Sequence, residues 1–497
     1  MKRILPVSFY NPLTLAGAVI AGFNFGLIVF FLIIDLLAKR PKPYADVIIL
    51  FVLPLFILIG VAFIILGIVW QRRRQKLPAE KQRLLVLDFN DQRQRRRVIL
   101  LSAGFLFLTL LYAFSMHQGY EFVESDYFCS RVCHTVMGPE ERAHAFSSHE
   151  EVACSACHVG SGTRYFVLSK FQGTTELYSL LSNTFPRPIP APIGFLRPAR
   201  EICETCHGAK YALTENLQTR KYYLSDTKNT EWEIGLLLKM GVVRVPTDKP
   251  PMMHWHYAVA KQIEYGTADP KREVIPWVRA VGFDGKAKTY RMKEGNASGK
   301  EPPPEQKRVM DCIDCHNRIG HGYSPPDRIL NALLSFKLID PLLPDIKSAA
   351  VKALEGNYTS RKAARSGIKD AITEFYTKKY PDIATSKKAE LERAIVTLQD
   401  LYDRNYDPVM KVSWKNYPSQ TGHLYTLGCF RCHDGKHETD DGTVLSKDCS
   451  LCHLLIKSRI EKEQKLAVLS EDTYPHPVDV GDSYKEMNCI ECHGPGN

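Results

Sequence analysis

Cysteine and histidine are both scarce in this 497-residue chain, 14 and 16 in number. No cysteine is left over once they are grouped by spacing, which excludes a lone reactive thiol from the reading. An excess of one charge is also missing from most of the chain. Residues 1–116 hold 15 basic and 5 acidic side chains, which accounts for +10 of the formal net charge of +11; residues 117–497 carry the remaining +1. That balance makes the positive charge a signal about topology that says nothing about nucleic acid, and no nucleic-acid partner is expected. The first apolar stretch lacks a small-residue cleavage pattern and is too long for the apolar region of a signal peptide, so it reads as an anchor.

The cysteines fall into seven pairs: Cys129/Cys133, Cys154/Cys157, Cys203/Cys206, Cys312/Cys315, Cys429/Cys432, Cys449/Cys452 and Cys489/Cys492. A histidine follows each pair at once: His134, His158, His207, His316, His433, His453 and His493. Six pairs read C-x-x-C-H; the first, C-S-R-V-C-H, is one residue longer. The spacing has a chemical reason. Two thiols add to the two vinyl groups on one porphyrin edge, and the adjacent imidazole reaches the iron. Zinc ribbons use C-x-x-C but need no histidine directly after it. Disulfide frameworks follow no such rule. With histidine at 16 of 497 residues, seven chance placements have a probability on the order of 10⁻¹¹. The sequence therefore predicts seven covalently attached haems c.

Three apolar stretches precede the first motif: Leu13–Ile34, Val47–Trp70 and Val98–Met116. Each has the roughly 20 residues that span a hydrocarbon core. Ten Lys and Arg crowd the loop at 71–97, against three between the first two stretches. By the positive-inside rule the amino end and the 71–97 loop are cytoplasmic. Residues 117–497 then lie outside the inner membrane of a bacterium, in the periplasm, the side on which haem is attached. About fourteen propionates would make that part acidic and favour cationic partner faces.

The expected architecture is a three-helix anchor (residues 1–116) followed by a haem-cored, mostly α-helical and irregular domain. A four-haem region covers 117–325, with a small β-containing insertion at about 211–310. A helical connector follows at 326–415, where Leu391, Ala394, Ile395 and Leu398 share a helix face. A three-haem module closes the chain at 416–497. Low-spin haems need a second axial ligand, usually His or Met. Nine histidines lie outside the motifs. His423, His437 and His476 match the last three haems in number. His144, His149, His254, His256, His321 and Met137 are candidates for the first four, and His117 follows the third apolar stretch.

From about residue 98 to 321 the chain resembles the NapC/NirT family of membrane-anchored quinol dehydrogenases. The resemblance rests on Y-F-C-S-R-V-C-H-T-V-M, S-S-H-E-E-V-A-C-S-A-C-H, R-E-I-C-E-T-C-H and D-C-I-D-C-H-N-R-I-G-H. It implies that His321 and His149 are distal ligands, and that a methionine near the first motif, here Met137, can bind iron. This chain departs from the family by the extra residue between Cys129 and Cys133 and by placing Met137 three residues past His134 instead of two. The resemblance further implies a quinol site beside the first haem, formed by Lys170 and Glu176, with His117 as another proton-accepting candidate. The extra helices and the three-haem tail are similar to larger inner-membrane cytochromes of metal-reducing bacteria. The expected function is oxidation of menaquinol from the membrane pool, with electrons passed to periplasmic c-type cytochromes or other redox proteins in anaerobic or extracellular respiration. A passive electron-wire subunit of a larger complex and a terminal reductase are the alternatives, and self-association stays open.

Overall fold

The computed structural model describes residues 11–37, 53–74, 91–132, 135–160, 163–192, 198–207, 215–241, 253–254, 256, 260–282, 284–293, 300–460, 463–466, 474, 476–481, 483 and 487–494. The chain is mostly helical, with small antiparallel sheets, and divides into two compact units. One comprises Met1–Cys129 and Cys154–Leu177, the other Ser130–Ala153 and Tyr178–Asn497.

Three long helices dominate the first unit: α1 (Pro12–Leu37), α2 (Leu53–Arg74) and α3 (Gln92–Glu124). Among the described residues, α1 and α2 are the two helices long and apolar enough to cross a membrane. They touch through small residues, because a bilayer offers no hydrophobic drive to bring helices together. A Cβ on Gly60 would lie 2.8 Å from the carbonyl of Gly17, so only glycine permits that approach. Asn11 donates to the Gly67 carbonyl at 3.1 Å and adds a polar clasp.

Helix α3 begins at Asp91, whose carboxylate accepts from the Arg93 amide at 2.8 Å. Val98–Met116 forms its middle, but the helix does not stop near His117. It continues for two turns through Q-G-Y-E-F-V-E, in which nothing breaks it, until Ser125 caps its end. The same unit contains the one-turn helix Cys154–His158 and α4 (Thr163–Leu181), whose last turn passes into the second unit.

In the second unit the expected insertion supplies six strands: β1 (Asn216–Tyr223), β2 (Glu231–Leu238), β3 (Gln262–Gly266), β4 (Trp277–Val281), β5 (Ala287–Met292) and β6 (Lys307–Val309). The helices α5 (Pro326–Ser335), α6 (Ile346–Leu354), α7 (Arg361–Lys379) and α8 (Lys388–Asn405) follow. They bury a side-chain core of their own, containing Leu330, Ile346, Ile368 and Ile372. Leu391, Ala394, Ile395 and Leu398 all face that core, as their helical spacing requires. The tail returns to the insertion through β7 (His437–Glu438), β8 (His453–Ile460) and β9 (Glu463–Leu466). One sheet has the order β1-β2-β8-β9 and the other β6-β3-β4-β5-β7, so each joins insertion strands to tail strands. Glu233 of β2 is buried but faces Lys457 at 2.7 Å and Arg459 at 2.9 Å on β8. The hydrogen bond from Lys457 is the main reason its carboxyl lies below the ordinary range.

Candidate haem-binding sites

No disulfide joins the described cysteines, and among the described residues no three His, Cys, Asp or Glu converge as a metal cluster. A structural zinc would need four such ligands. A haem iron needs only two, one on each face. An imidazole nitrogen sits about 2 Å from a bound first-row metal and roughly 1.1 Å from its own ring centre, so two rings sharing one iron have centroids about 6 Å apart.

Four motif histidines meet a second histidine at that spacing. The ring centroids lie 5.9 Å apart for His207 and His149, 6.4 Å for His316 and His254, 5.8 Å for His433 and His256, and 6.1 Å for His453 and His423. His476 lies within electrostatic reach of His493, the histidine of the seventh motif. Each of the four measured slots has the width of one iron between two nitrogens, which is the test the residues must pass to fit a haem.

The backbone fixes which nitrogen is offered. Nδ1 of His254 is 2.9 Å from the carbonyl of Met240, Nδ1 of His256 3.1 Å from that of Met253, and Nδ1 of His433 3.0 Å from that of Ser446. A carbonyl only accepts, so Nδ1 carries the proton and Nε2 keeps its lone pair for metal. Burial is the main cause of the lowered pKa of His316, His423 and His433, and pushes His256 and His453 down to about 4, which keeps those five rings neutral.

His437 is placed differently. It is fully buried in β7, with Nδ1 2.9 Å from the Asp434 carboxylate and Nε2 2.6 Å from the carbonyl of Ile275. Both neighbours are acceptors, so both ring nitrogens are occupied by protons. It is His256, from the insertion, that stands opposite His433. Met137 is half-buried just before the helix Gly138–His144. The backbone of His117 lies within α3, while its side chain, like Cys133 and His134, lies outside the described residues.

The residues between the motif cysteines hold neighbouring motifs together. Arg431, inside C-F-R-C-H, is buried and donates to the carbonyls of Asp314 at 2.5 Å and Arg272 at 3.0 Å. Asp314, inside C-I-D-C-H, accepts from Arg272, Arg308 and Tyr265. Asp311 accepts from the amide of Ala199 at 2.8 Å and so ties the helix of the third motif to the fourth. Motif cysteines adjoin one another accordingly. The Cys312 thiol donates a hydrogen bond to the Cys203 sulfur, Cys315 faces Cys429, Cys429 faces Cys452, and Cys449 faces Cys489. Motifs three to seven thus form one unbroken series in space, in sequence order.

The described motif cysteines are not equivalent in the structure. Cys157, Cys206 and Cys492 are the second thiols of the second, third and seventh motifs. Cys157 is half-buried within the one-turn helix Cys154–His158. Cys206 is exposed beyond the helix Ala199–Cys203, where its amide donates to the carbonyl of Cys203 at 3.2 Å and its sulfur accepts from the Thr205 hydroxyl at 3.8 Å. Cys492 is exposed in the helix Cys489–His493 and faces its own motif partner, Cys489. The reason is the one-turn geometry. Residues three apart stand one above the other on a helix, so the second thiol stays beside the first, a turn further on, and both can reach one porphyrin edge.

In the first unit, Cys129 faces Cys154, whose amide donates to Asp126 at 2.7 Å. Lys170 on α4 reaches Glu124, the last residue of α3, at 2.5 Å; Glu124 is buried and Lys170 partly exposed. Glu176 is exposed, and six residues beyond Lys170 it lies about 120° away around the helix, so the two do not share a face. Glu124 was not among the residues expected at this site. Its signal in the sequence was the absence of proline between Met116 and Ser125, with Gly119 alone too weak a break to stop the helix short of its acidic end. Several large apolar side chains of α4 are open to solvent, with Phe171 71%, Tyr178 71% and Leu181 78% exposed.

No protein-family profile matches the chain, and no solved structure matches it. The cytochrome c-type protein ImcH of Geobacter sulfurreducens is 36% identical to it over 490 residues, which cover 97% of this chain and 95% of that protein. Iron-wide histidine slots at one attachment motif after another, and a likeness running the length of both proteins, place this chain in the family of the c-type cytochrome ImcH.

Proposed function

We propose that the chain is a membrane-bound seven-haem cytochrome that oxidises quinol at the outer face of the inner membrane and delivers electrons to periplasmic acceptors. In this reading α3 is the third membrane span, the amino end is cytoplasmic and residues 117–497 are periplasmic. The observation that carries the proposal is the Lys170–Glu124 ion pair at the end of α3. In this reading the pair offers a cation and a buried carboxylate at the outer end of the third span, where a lipid-borne substrate would leave the bilayer. The exposed apolar face of α4 (Leu168, Phe171, Tyr178, Leu181) suits the acyl boundary beside that end.

Quinol oxidation releases two electrons and two protons, and haem supplies only the electron acceptor. The protein must hold the oxygens and take the protons. Lys170 Nζ is a hydrogen-bond donor to a quinol oxygen. Glu124, once Lys170 turns to substrate, is a carboxylate within one side chain's reach of the same oxygen and accepts its proton. His117, seven residues before Glu124 on α3, lies on the membrane side of the pair in this reading, and Glu176 lies on another face of α4; both are secondary proton-accepting candidates.

The test is reduction of the purified protein by a quinol analogue. Lys170→Met and Glu124→Gln should each slow it by at least about tenfold, the usual contribution of a positioned proton-transfer group. Reduction by dithionite should be unchanged. Wild-type rates in both variants would remove the quinol site from this position.

A further inference from the structure

The series of motifs three to seven lies within the second unit, and its two ends are open. His316, His433 and His453, at the fourth, fifth and sixth motifs, are half-buried, while His207 at the third and His493 at the seventh are exposed. The surroundings of the two ends differ. At the third motif both signs of charge are on show: Arg200, Glu201 and Glu204 are exposed, and Arg200 lies 3.5 Å from Glu204. The seventh motif adjoins an apolar surface. Tyr474 stands beside Cys489 and packs on Trp232 of β2, with ring centroids 6.2 Å apart. Further along, Val478 is 56% exposed, and Val480 and Met487 are exposed too, the last of them two residues before Cys489. Among the described residues from 474 to 494 the Asp, Glu, Lys and Arg side chains are Asp479 and Glu491, both exposed carboxylates. Asp479 is fixed in a turn, where it accepts from the Gly481 amide at 2.9 Å.

We infer that electrons leave the chain at the face around the seventh motif, and that this face docks a soluble one-electron carrier whose haem edge is ringed by lysine and arginine. An electron carrier must come close to its donor and leave again quickly, so its contact is small. Apolar side chains beside the cofactor exclude water from such a contact. Charges of opposite sign at its rim speed the encounter and set its orientation without binding tightly. Val478, Val480 and Met487 are the apolar part here, and Asp479 and Glu491 the acidic rim. The mixed charges at the third motif steer neither sign. The transfer makes and breaks no bond: one electron passes, and the iron held at the seventh motif goes from ferrous to ferric as the partner's goes from ferric to ferrous. This exit rests on the proposed delivery of electrons to periplasmic acceptors, and it names the delivering face and the charge of the acceptor.

The probe is a lysine-rich monohaem cytochrome c, used with the full chain at low ionic strength, and the haem content of each variant is first confirmed by pyridine haemochrome. With both proteins oxidised no electron passes, and binding is read from the broadening of the probe's haem-methyl proton resonances. Asp479→Lys should weaken this binding. In the second measurement the chain is reduced by dithionite, the excess is removed, and oxidised probe is mixed in. Asp479→Lys should slow the second-order electron transfer by about tenfold, the lower end of what electrostatic steering contributes. Asp479→Asn keeps an acceptor for the Gly481 amide should the lysine variant fail to fold, and it removes half as much charge, for a loss of about threefold. Glu204→Lys, at the other end of the series, should leave both binding and rate unchanged. Wild-type binding and rates in the Asp479 variants, or losses as large in Glu204→Lys, overturn the assignment. Quinol takes no part in either measurement, so a failure here leaves the Lys170 and Glu124 variants to judge the quinol site, and a failure there leaves this face standing.

Discussion

Two histidines, His256 and His437, show what spacing conveys and what it withholds. In sequence, His437 has the stronger claim on an iron, because it lies in a segment with three haem motifs and three spare histidines. The count is sound but the chemistry of the neighbours decides. Asp434 precedes His437 by three residues, and a carboxylate there captures Nδ1, while a strand of the insertion brings the Ile275 carbonyl to Nε2. Only the first of those partners is legible in the sequence. His256 reaches His433 from a distant segment, and no local pattern announces it. The attachment residues are legible because each haem requires two thiols and a histidine at fixed spacing. Distal ligands carry no such constraint, since any loop can bring one. His256→Ala should therefore turn one low-spin haem high-spin, whereas His437→Ala should leave every haem low-spin by electron paramagnetic resonance. High-spin signal in the His437 variant would restore it as a ligand.

Elements were read more surely than their ends. The apolar stretches forecast α1, α2 and the middle of α3, but hydropathy marks where lipid ends and says nothing of where a helix ends. So α3 runs on to Glu124 and provides the carboxylate that Lys170 meets, while Glu176, chosen for its place in a family pattern, faces elsewhere. The contact between α1 and α2 was likewise hidden in plain composition. Glycines in apolar runs look like tolerated defects, yet Gly17 and Gly60 are where the two backbones touch. Replacing Gly60 by Leu must push the helices apart, and overpacking of this kind costs about 1–3 kcal/mol. In detergent the Gly60→Leu protein should melt at a lower temperature than wild type by circular dichroism, with Gly60→Ala between them. Haem content should be unchanged, because none of the motifs lies on these helices. An unaltered melting curve would mean that α1 and α2 do not depend on this approach.

On the scale of the whole molecule, the sequence suggests beads on a string: four haems, a connector, three more. The structure ties the last bead into the first. Strand β2 pairs with β8 over Trp232–Leu238, and β5 pairs with β7 at Arg291 and Met292. Arg431 of the fifth motif bonds the carbonyl of Asp314 in the fourth, and His256, two residues from His254, faces the fifth motif while His254 faces the fourth. The haem series gains from this arrangement, since rings held by one short segment cannot drift apart and break the path. It also means that the tail cannot be removed cleanly. Without residues 416–497, β2 keeps β1 but loses β8 on its other edge, Glu233 loses both Lys457 and Arg459, and Trp232, Ile234 and Leu236 lose the cover of Leu455. An exposed apolar edge strand with a stranded carboxylate aggregates. The full chain should carry seven haems by pyridine haemochrome against protein mass. A chain ending at residue 415 should be recovered aggregated or with fewer than four. A soluble product with four haems and an ordinary low-spin spectrum would show instead that the tail is a separate module, and that its strands and Arg431 are fastened to a region able to stand alone.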